Sequence, residues 1–312
     1  MQKQAKAVLG IDIGGSKLVT GLVDAGGTVL AKEKHRWEKL DRESVLGTIL
    51  EASTQLMQNN PGIPADAIGV NIPGLADPNK GLWVEACFSG IRDVPIGEIL
   101  SDRFKLPARI DNDVNNCALG EKLFGICRDC TDFMWQTVSN GCGGALFLSG
   151  QVYRGAYFNA GEFGHICVEE HGGYPCGCGN HGCLDAQAAG PGIQRRYLEQ
   201  GGSKEIDGGE PDARAIAELA RKGDPLAIEI FNQEGYYIGK AMAAVINAVN
   251  PQKAIIGGGI SGAFDLFYPE LLRTVNRMTY REASKHVTIE KTGLGYDAAL
   301  IGAAALAIQY IT

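Results

Sequence analysis

Nothing in this sequence reads as a membrane span, an export signal or a disordered tether. No apolar run approaches the roughly twenty residues that a bilayer crossing needs, and the opening MQKQAKAVLG has neither an apolar signal core nor a cleavage site. No stretch has linker composition, so the expected boundary near Asp111 is a hinge rather than a tether. Positive charge is also short: 29 Lys and Arg against 36 Asp and Glu leave a net charge of −7, which argues against nucleic acid as the main partner. The nine cysteines are odd in number and mostly far apart. That usage fits no disulfide framework and suits a reducing cytoplasm, with one cluster reserved for metal. A P-loop is absent too, because GxxxxGK[ST] does not occur.

What is present is an ordinary globular composition, 45% hydrophobic and 21% charged over 312 residues, long enough for two cores. The densest chemistry lies in Ala160 to Asp185, AGEFGHICVEEHGGYPCGCGNHGCLD. Cys176, Cys178 and Cys183 form C-x-C-x4-C, with His165 eleven residues upstream. Three thiolates and one imidazole suit tetrahedral zinc in a closed structural site. His171 or His181 is an alternative fourth ligand, and a set of buried thiols or a disulfide pair is the alternative to metal altogether. The interleaved glycines let a short loop wrap an ion.

Along the chain, Ala7 to Ile13 reads as a strand ending at Asp12, followed by a Gly14-Gly15-Ser16-Lys17 turn and strands at Leu18–Val23 and Thr28–Lys32. The turn offers backbone N–H groups to phosphate, with Lys17 adding charge. A helix is expected over Asp41–Asn59, a buried strand over Ala67–Asn71, then Pro73-Gly74-Leu75 and a long loop holding Trp83, Glu85 and Cys87. A short strand at Ala108–Ile110 runs into Asp111-Asn112-Asp113 and a helix over Val114–Phe124. The second half repeats this theme. A strand at Phe133–Ser139 meets the turn Asn140–Gly144, a strand at Ala145–Leu148 and a third from Gln151. Helices follow at Ala213–Lys222 and Pro225–Val249, then a strand at Lys253–Ile256 opening into Gly257-Gly258-Gly259. Helices near Gly262–Met278 and Ala298–Tyr310 flank a last strand at Val287–Lys291.

These segments in this order resemble the ROK family of sugar kinases and sugar-responsive repressors. The matching pieces are DIGGSK at Asp12 to Lys17, IPGLAD at Ile72 to Asp77, DNDVNNCALGE at Asp111 to Glu121 and SNGCGG at Ser139 to Gly144. GEFGH at Gly161 to His165, CGCGNHGCLD at Cys176 to Asp185 and IIGGGIS at Ile255 to Ser261 complete the set, and the last-but-one pair at this spacing is the specific one. The resemblance implies a two-domain actin-like ATPase fold of duplicated ribonuclease-H-like α/β domains with a zinc-binding loop. The N-terminal domain would hold residues 1–111 and 298–312, and the C-terminal domain 112–297, with a dimerisation surface for a homodimer or homotetramer. Sugar and ATP would bind in the cleft between them.

By the same likeness Asp113 would be the general base for phosphorylating a hexose hydroxyl, the 6-OH. Gly74, Asn112, Glu162, His165 and Asp185 would contact the sugar. Gly14, Gly15, Ser16, Lys17, Asn140, Gly141, Cys142 and Gly143 would line the phosphates, and Gly257, Gly258 and Gly259 would face the adenosine. Asp12 would hold Mg2+ through water. His165, Cys176, Cys178 and Cys183 match the zinc ligands, and the second ring nitrogen of His165 would face the sugar. The simple alternatives are a helix cap for Asp113 and a turn residue for Asp12.

Three departures stand out. Cys142 occupies the middle of a turn that commonly reads GTG and donates hydrogen bonds poorly. Asp185 stands where Glu is usual, pulling the carboxylate back by roughly 1.5 Å. The stretch from Glu85 to Gly90 lacks the usual Asn-Leu pair. The gap at Asp185 is expected to disfavour plain glucose. The competing readings are a sugar-sensing repressor of the same fold, which would need a DNA-binding domain ahead of DIGGSK where only eleven residues precede Asp12, and a sugar-binding protein without kinase activity.

Overall fold

The computed structural model describes residues 7–86 and 89–311. Cys87, expected in a loop, lies outside them. The chain divides into two compact units.

The first unit is built on a five-stranded sheet. Strands β1 (Ala7–Ile13), β2 (Lys17–Asp24) and β3 (Val29–Arg36) form an antiparallel meander. Helix α1 (Arg42–Asn59) then returns the chain to β4 (Ala65–Ile72), parallel to β1. Asp41 starts α1 by accepting a hydrogen bond from the Ser44 N–H, a standard N-cap. The expected loop after Ile72 is instead a small sheet of β5 (Leu75–Asp77), β6 (Leu82–Glu85) and β7 (Arg92–Val94), with Trp83 fully buried. Helix α2 (Ile96–Phe104) leads to β8 (Ala108–Asn112), parallel to β4, and α3 (Asp113–Leu123) follows without a break. The strand order is β3-β2-β1-β4-β8.

The second unit repeats that order. Strands β9 (Phe133–Val138), β10 (Cys142–Leu148) and β11 (Gln151–Tyr153) form an antiparallel meander. Helices α4 (Leu184–Ala188), α5 (Gly190–Glu199), α6 (Ala213–Arg221) and α7 (Pro225–Val249) precede β12 (Lys253–Gly257), which pairs parallel to β9. Helices α8 (Phe264–Met278) and α9 (Arg281–Ser284) separate it from β13 (Thr288–Lys291), so the order is β11-β10-β9-β12-β13. Two sheets of one order and one pattern of strand senses constitute the duplicated arrangement of the actin-like ATPase fold. The core of this unit gathers Met134, Phe231, Met242 and Phe267.

The closing helix α10 (Ala298–Ile311) belongs to the first unit. It covers the sheet face opposite α1, so β1 and β4 are buried on both faces and read as near-continuous apolar runs. A Cβ on Gly69 of β4 would overlap the Ala303 carbonyl, and one on Gly302 would meet the Asn116 carbonyl. The second of these close approaches packs α3 onto α10 and corrects the expected boundary. The division falls at Asp129/Cys130 rather than after Asp111, and the first unit also takes Arg154–Ala160 and residues from Gly293 onward. No helix among the described residues is long and apolar enough to cross a membrane.

Candidate functional site

In the first unit the strand ends carry the chemistry. Asp12, at the end of β1, accepts a hydrogen bond from Asn71 Nδ2 at 2.9 Å. Asn71 also donates to the Ala299 carbonyl and accepts from Asn116 Nδ2 at 2.8 Å, which fixes its amide. Burial raises the Asp12 carboxyl above its usual range, opposed by the Asn71 bond and the Lys17 charge. The turn after Asp12 closes with Gly14 N–H on the Lys17 carbonyl, and Trp37 Nε1 holds the Gly14 carbonyl from outside. Gly15 and Ser16 stand exposed at its tip. Lys17 Nζ donates to the Tyr296 hydroxyl at 2.7 Å and draws that phenol below its ordinary pKa. No pattern in the sequence links these two residues, which lie 279 positions apart.

The Asp111-Asn112-Asp113 run divides its duties clearly. Asp111 is buried and accepts from the Asn112 N–H, Asn115 Nδ2 and Arg154 Nε, with Arg154 also closing an ion pair at 2.6 Å. Asn112 is the N-cap of α3: its Oδ1 accepts from the Val114 and Asn115 N–H groups, and its Nδ2 reaches the Gly74 carbonyl at 3.2 Å. An amide so engaged keeps one N–H for a ligand. Gly74 has φ +91°, and a side chain there would run into the Glu85 carbonyl. Asp113 opens α3, half-buried, with Oδ1 near the Val114 N–H at 3.0 Å. Burial, followed by the charges of Asp113, Asp12 and Glu121, pushes the nearby Cys117 thiol well up.

In the second unit three motifs meet at one end of the sheet. The turn at Ser139–Gly141 is tighter than expected, because β10 already begins at Cys142. The Ser139 N–H bonds the Gly141 carbonyl at 2.9 Å. Gly144 leaves room for the Phe163 ring, and Gly164 lies against the Cys142 carbonyl, so GEFGH packs directly on this hairpin. Gly257 sits against the Trp135 ring, and Gly258, at φ +84°, against the Val138 carbonyl, which brings the glycine run to the same strand end. A cavity of about 580 Å³ opens there, with Asn140, Gly259 and Phe231 among its walls and Arg221 at its side.

The cysteine loop folds as a compact knot. Both the Val168 and Glu169 N–H groups bond the Gly182 carbonyl, and the Cys176 N–H bonds the Asn180 carbonyl at 2.8 Å. His165 Nδ1 and the Sγ atoms of Cys176, Cys178 and Cys183 all lie within 4.8 Å of one another. Cys176 Sγ to His165 Nδ1 and Cys178 Sγ to Cys183 Sγ are each 3.7 Å. A tetrahedron with Zn–S bonds of about 2.3 Å has edges of about 3.8 Å, so the four atoms fit the corners of a zinc site. The cluster uses His165 and neither His171 nor His181. Burial pushes the Cys183 thiol up to about 12, while the Asn180 N–H draws the Cys178 thiol down to about 7. The other ring nitrogen of His165 faces Glu162 Oε2 at 3.9 Å.

Asp185, expected at the sugar, has Oδ1 on the Cys142 N–H at 2.7 Å. Its helix α4 is anchored from below by buried Arg196, which bonds the Gln187 carbonyl and pairs with Glu234 at 2.8 Å. Arg154, Tyr296 and Arg196 are supports that sequence reading missed, since long-range side-chain contacts leave no local pattern. Removing one partner of a buried pair strands the other charge. Glu234→Ala is therefore expected to lower stability by about 3–5 kcal/mol, and Glu234→Gln by less, as read by urea unfolding; equal losses would show that the Arg196 bond is not what matters.

A glucokinase from Halalkalibacterium halodurans is 30% identical over 305 residues, covering 94% of this chain and 92% of that protein. The DNA-binding transcriptional dual regulator NagC of Escherichia coli is 31% identical over 303 residues, covering 96% of this chain and 74% of that one. Among solved structures, a ROK family glucokinase from Streptomyces griseus in complex with glucose and AMPPNP superposes with a TM-score of 0.85 at 29% identity, covering 97% of this chain and 99% of that chain. The ROK family pattern itself matches residues 8–310, and the chain belongs to the ROK family.

Proposed function

We propose that this protein is an ATP-dependent kinase of a hexose or hexose derivative, phosphorylating the 6-hydroxyl with Asp113 as general base. The observation that carries the reading is the division of labour at the start of α3. Asn112 caps the helix through the Val114 and Asn115 N–H groups, and Arg154 engages Asp111. A base needs a carboxylate within reach of the hydroxyl whose proton it takes, and Asp113 opens the helix beside that scaffold. The kinases among the relatives support the same chemistry.

In this reading Gly74, Asn112, Glu162 and His165 hold sugar hydroxyls. Gly14, Gly15, Ser16 and Lys17 receive phosphate oxygens from one hairpin, and Asn140, Gly141, Cys142 and Gly143 from its counterpart. The adenosine lies along Gly257, Gly258 and Gly259, where the cavity of the second unit supplies an apolar wall at Phe231. Asp12, its carboxylate oriented by Asn71, would hold Mg2+ through water. Phosphoryl transfer asks mostly for such positioning and charge neutralisation. Zinc held by His165, Cys176, Cys178 and Cys183 is structural, because four protein ligands leave no open position. His165, held at Nδ1 by such an ion, would present Nε2 beside Glu162 as a rigid partner for the sugar.

A sugar-responsive regulator is the second reading, favoured by the resemblance to NagC. A coupled assay of ADP release over common hexoses and N-acetylhexosamines, run beside calorimetric sugar binding, separates the two. Sugar-dependent ADP release is the expected result. Tight sugar binding without ADP release would overturn the kinase in favour of the regulator.

A further inference from the structure

The two residues by which the motifs of the second unit depart from their relatives are hydrogen-bonded to each other. Cys142 N–H donates to Asp185 Oδ1 at 2.7 Å, across 43 residues of chain. A second tie runs parallel to it, from the Gly190 N–H to the Ser139 carbonyl at 2.8 Å. On the opposite side the Cys142 carbonyl is pressed against Gly164. The turn Ser139–Gly141 is thus held by the Gly190 N–H at its first residue, and by one charged side chain where it passes into β10. That side chain stands two residues after Cys183, on a helix whose base is locked by the buried Arg196–Glu234 pair.

We propose that Asp185 is a positioning residue for the second phosphate turn, and that its duty lies on the nucleotide side of the reaction rather than with the sugar. A carboxylate accepting a backbone N–H makes a short, strong bond. Here it fixes the direction in which the start of β10 leaves the turn, and with it the presentation of Asn140 and Gly141. The carboxylate comes close to the turn at a position that carries no side chain: Oδ1 lies 3.1 Å from where a Cβ on Gly141 would sit, so a larger residue there would crowd it. The side chain at Cys142 is a half-buried thiol with little capacity to donate. The order of the turn therefore rests on its backbone N–H and on the acceptor that holds it.

The proposal rests on the kinase reading, and its test separates the two. Asp185→Ala and Asp185→Asn would be compared with the unaltered protein for AMPPNP affinity, KM for ATP, KM for sugar and zinc content. Asp185→Ala is expected to weaken AMPPNP and raise the KM for ATP by about tenfold, with the sugar KM within about twofold and zinc retained. Asp185→Asn keeps an acceptor oxygen and is expected to restore most of the loss. Should Asp185→Ala not fold, Asp185→Glu tests the same split, because the longer side chain displaces the acceptor. A rise in sugar KM with ATP unaffected would make Asp185 a sugar reader, and loss of zinc would make it a buttress of the metal loop; either overturns the proposal, as does no change at all. Unaltered protein that binds AMPPNP without releasing ADP overturns the kinase alone, and AMPPNP affinity then decides the role of Asp185. Failure of the unaltered protein to bind AMPPNP overturns both.

Discussion

Asp113→Asn is expected to abolish turnover while leaving the fold and sugar binding in place. The amide is nearly isosteric with the carboxylate and still accepts the Val114 N–H, so α3 keeps its first turn. Asn112 remains the cap and Arg154 remains on Asp111. What disappears is the acceptor for the hydroxyl proton, and general-base removal costs on the order of 10²-fold or more in kcat. Steady-state kinetics beside a binding isotherm for the sugar checks this. A variant with near-unaltered kcat would remove Asp113 from the role of base, and one with lost sugar affinity would make it a binding residue instead.

Cys178→Ser is the second change with a large expected effect. The purified protein is expected to hold about one zinc per chain, and the serine variant to lose most of it. Metal binding at such a site is folding free energy for the loop that supplies the ligands. Its loss should destabilise the second unit by at least about 2–3 kcal/mol and weaken sugar binding, because the His165 ring is then no longer fixed opposite Glu162. Metal analysis by emission spectroscopy and a thermal melt give two readouts that need no activity. Protein prepared without chelators that contains no zinc would refute the site outright.

The legible parts of this chain were those with short-range causes. Strands β1, β4, β9 and β12 are apolar runs closed by Gly14, Pro73, Ser139-Asn140 and the glycines from Gly257, and their positions follow from that punctuation. Helix α7 runs over Pro225–Val249 as expected, because Asp224 caps it and Pro225 pre-sets its first turn. Helix α5 was not expected, since it opens with Gly190-Pro191-Gly192, residues that ordinarily break helices. Helix α3 was expected but assigned to the wrong unit. It is buried from Val114 to Glu121 on every side, so no polar face betrays which core it joins. The strands β5 to β7 have three or four residues each, too few for an alternating pattern to register. The His165, Cys176, Cys178 and Cys183 cluster could be read as a candidate metal site because its cysteines crowd into one loop. Asp185 could not be placed, because its partner was decided by how two distant turns pack.

The placement of α10 bears on how the protein is made. Every segment of the second unit precedes it in the chain, yet α10 supplies one covering layer of the sheet formed by the earliest strands. During synthesis the first unit must therefore wait with β1 and β4 bared on one face, while the later-made unit already has all of its own strands and helices. Domains usually mature in the order in which they emerge; here that order is inverted. The waiting sheet exposes apolar surface, and a released chain ending just before residue 298 is expected to keep one complete unit and one with an open face.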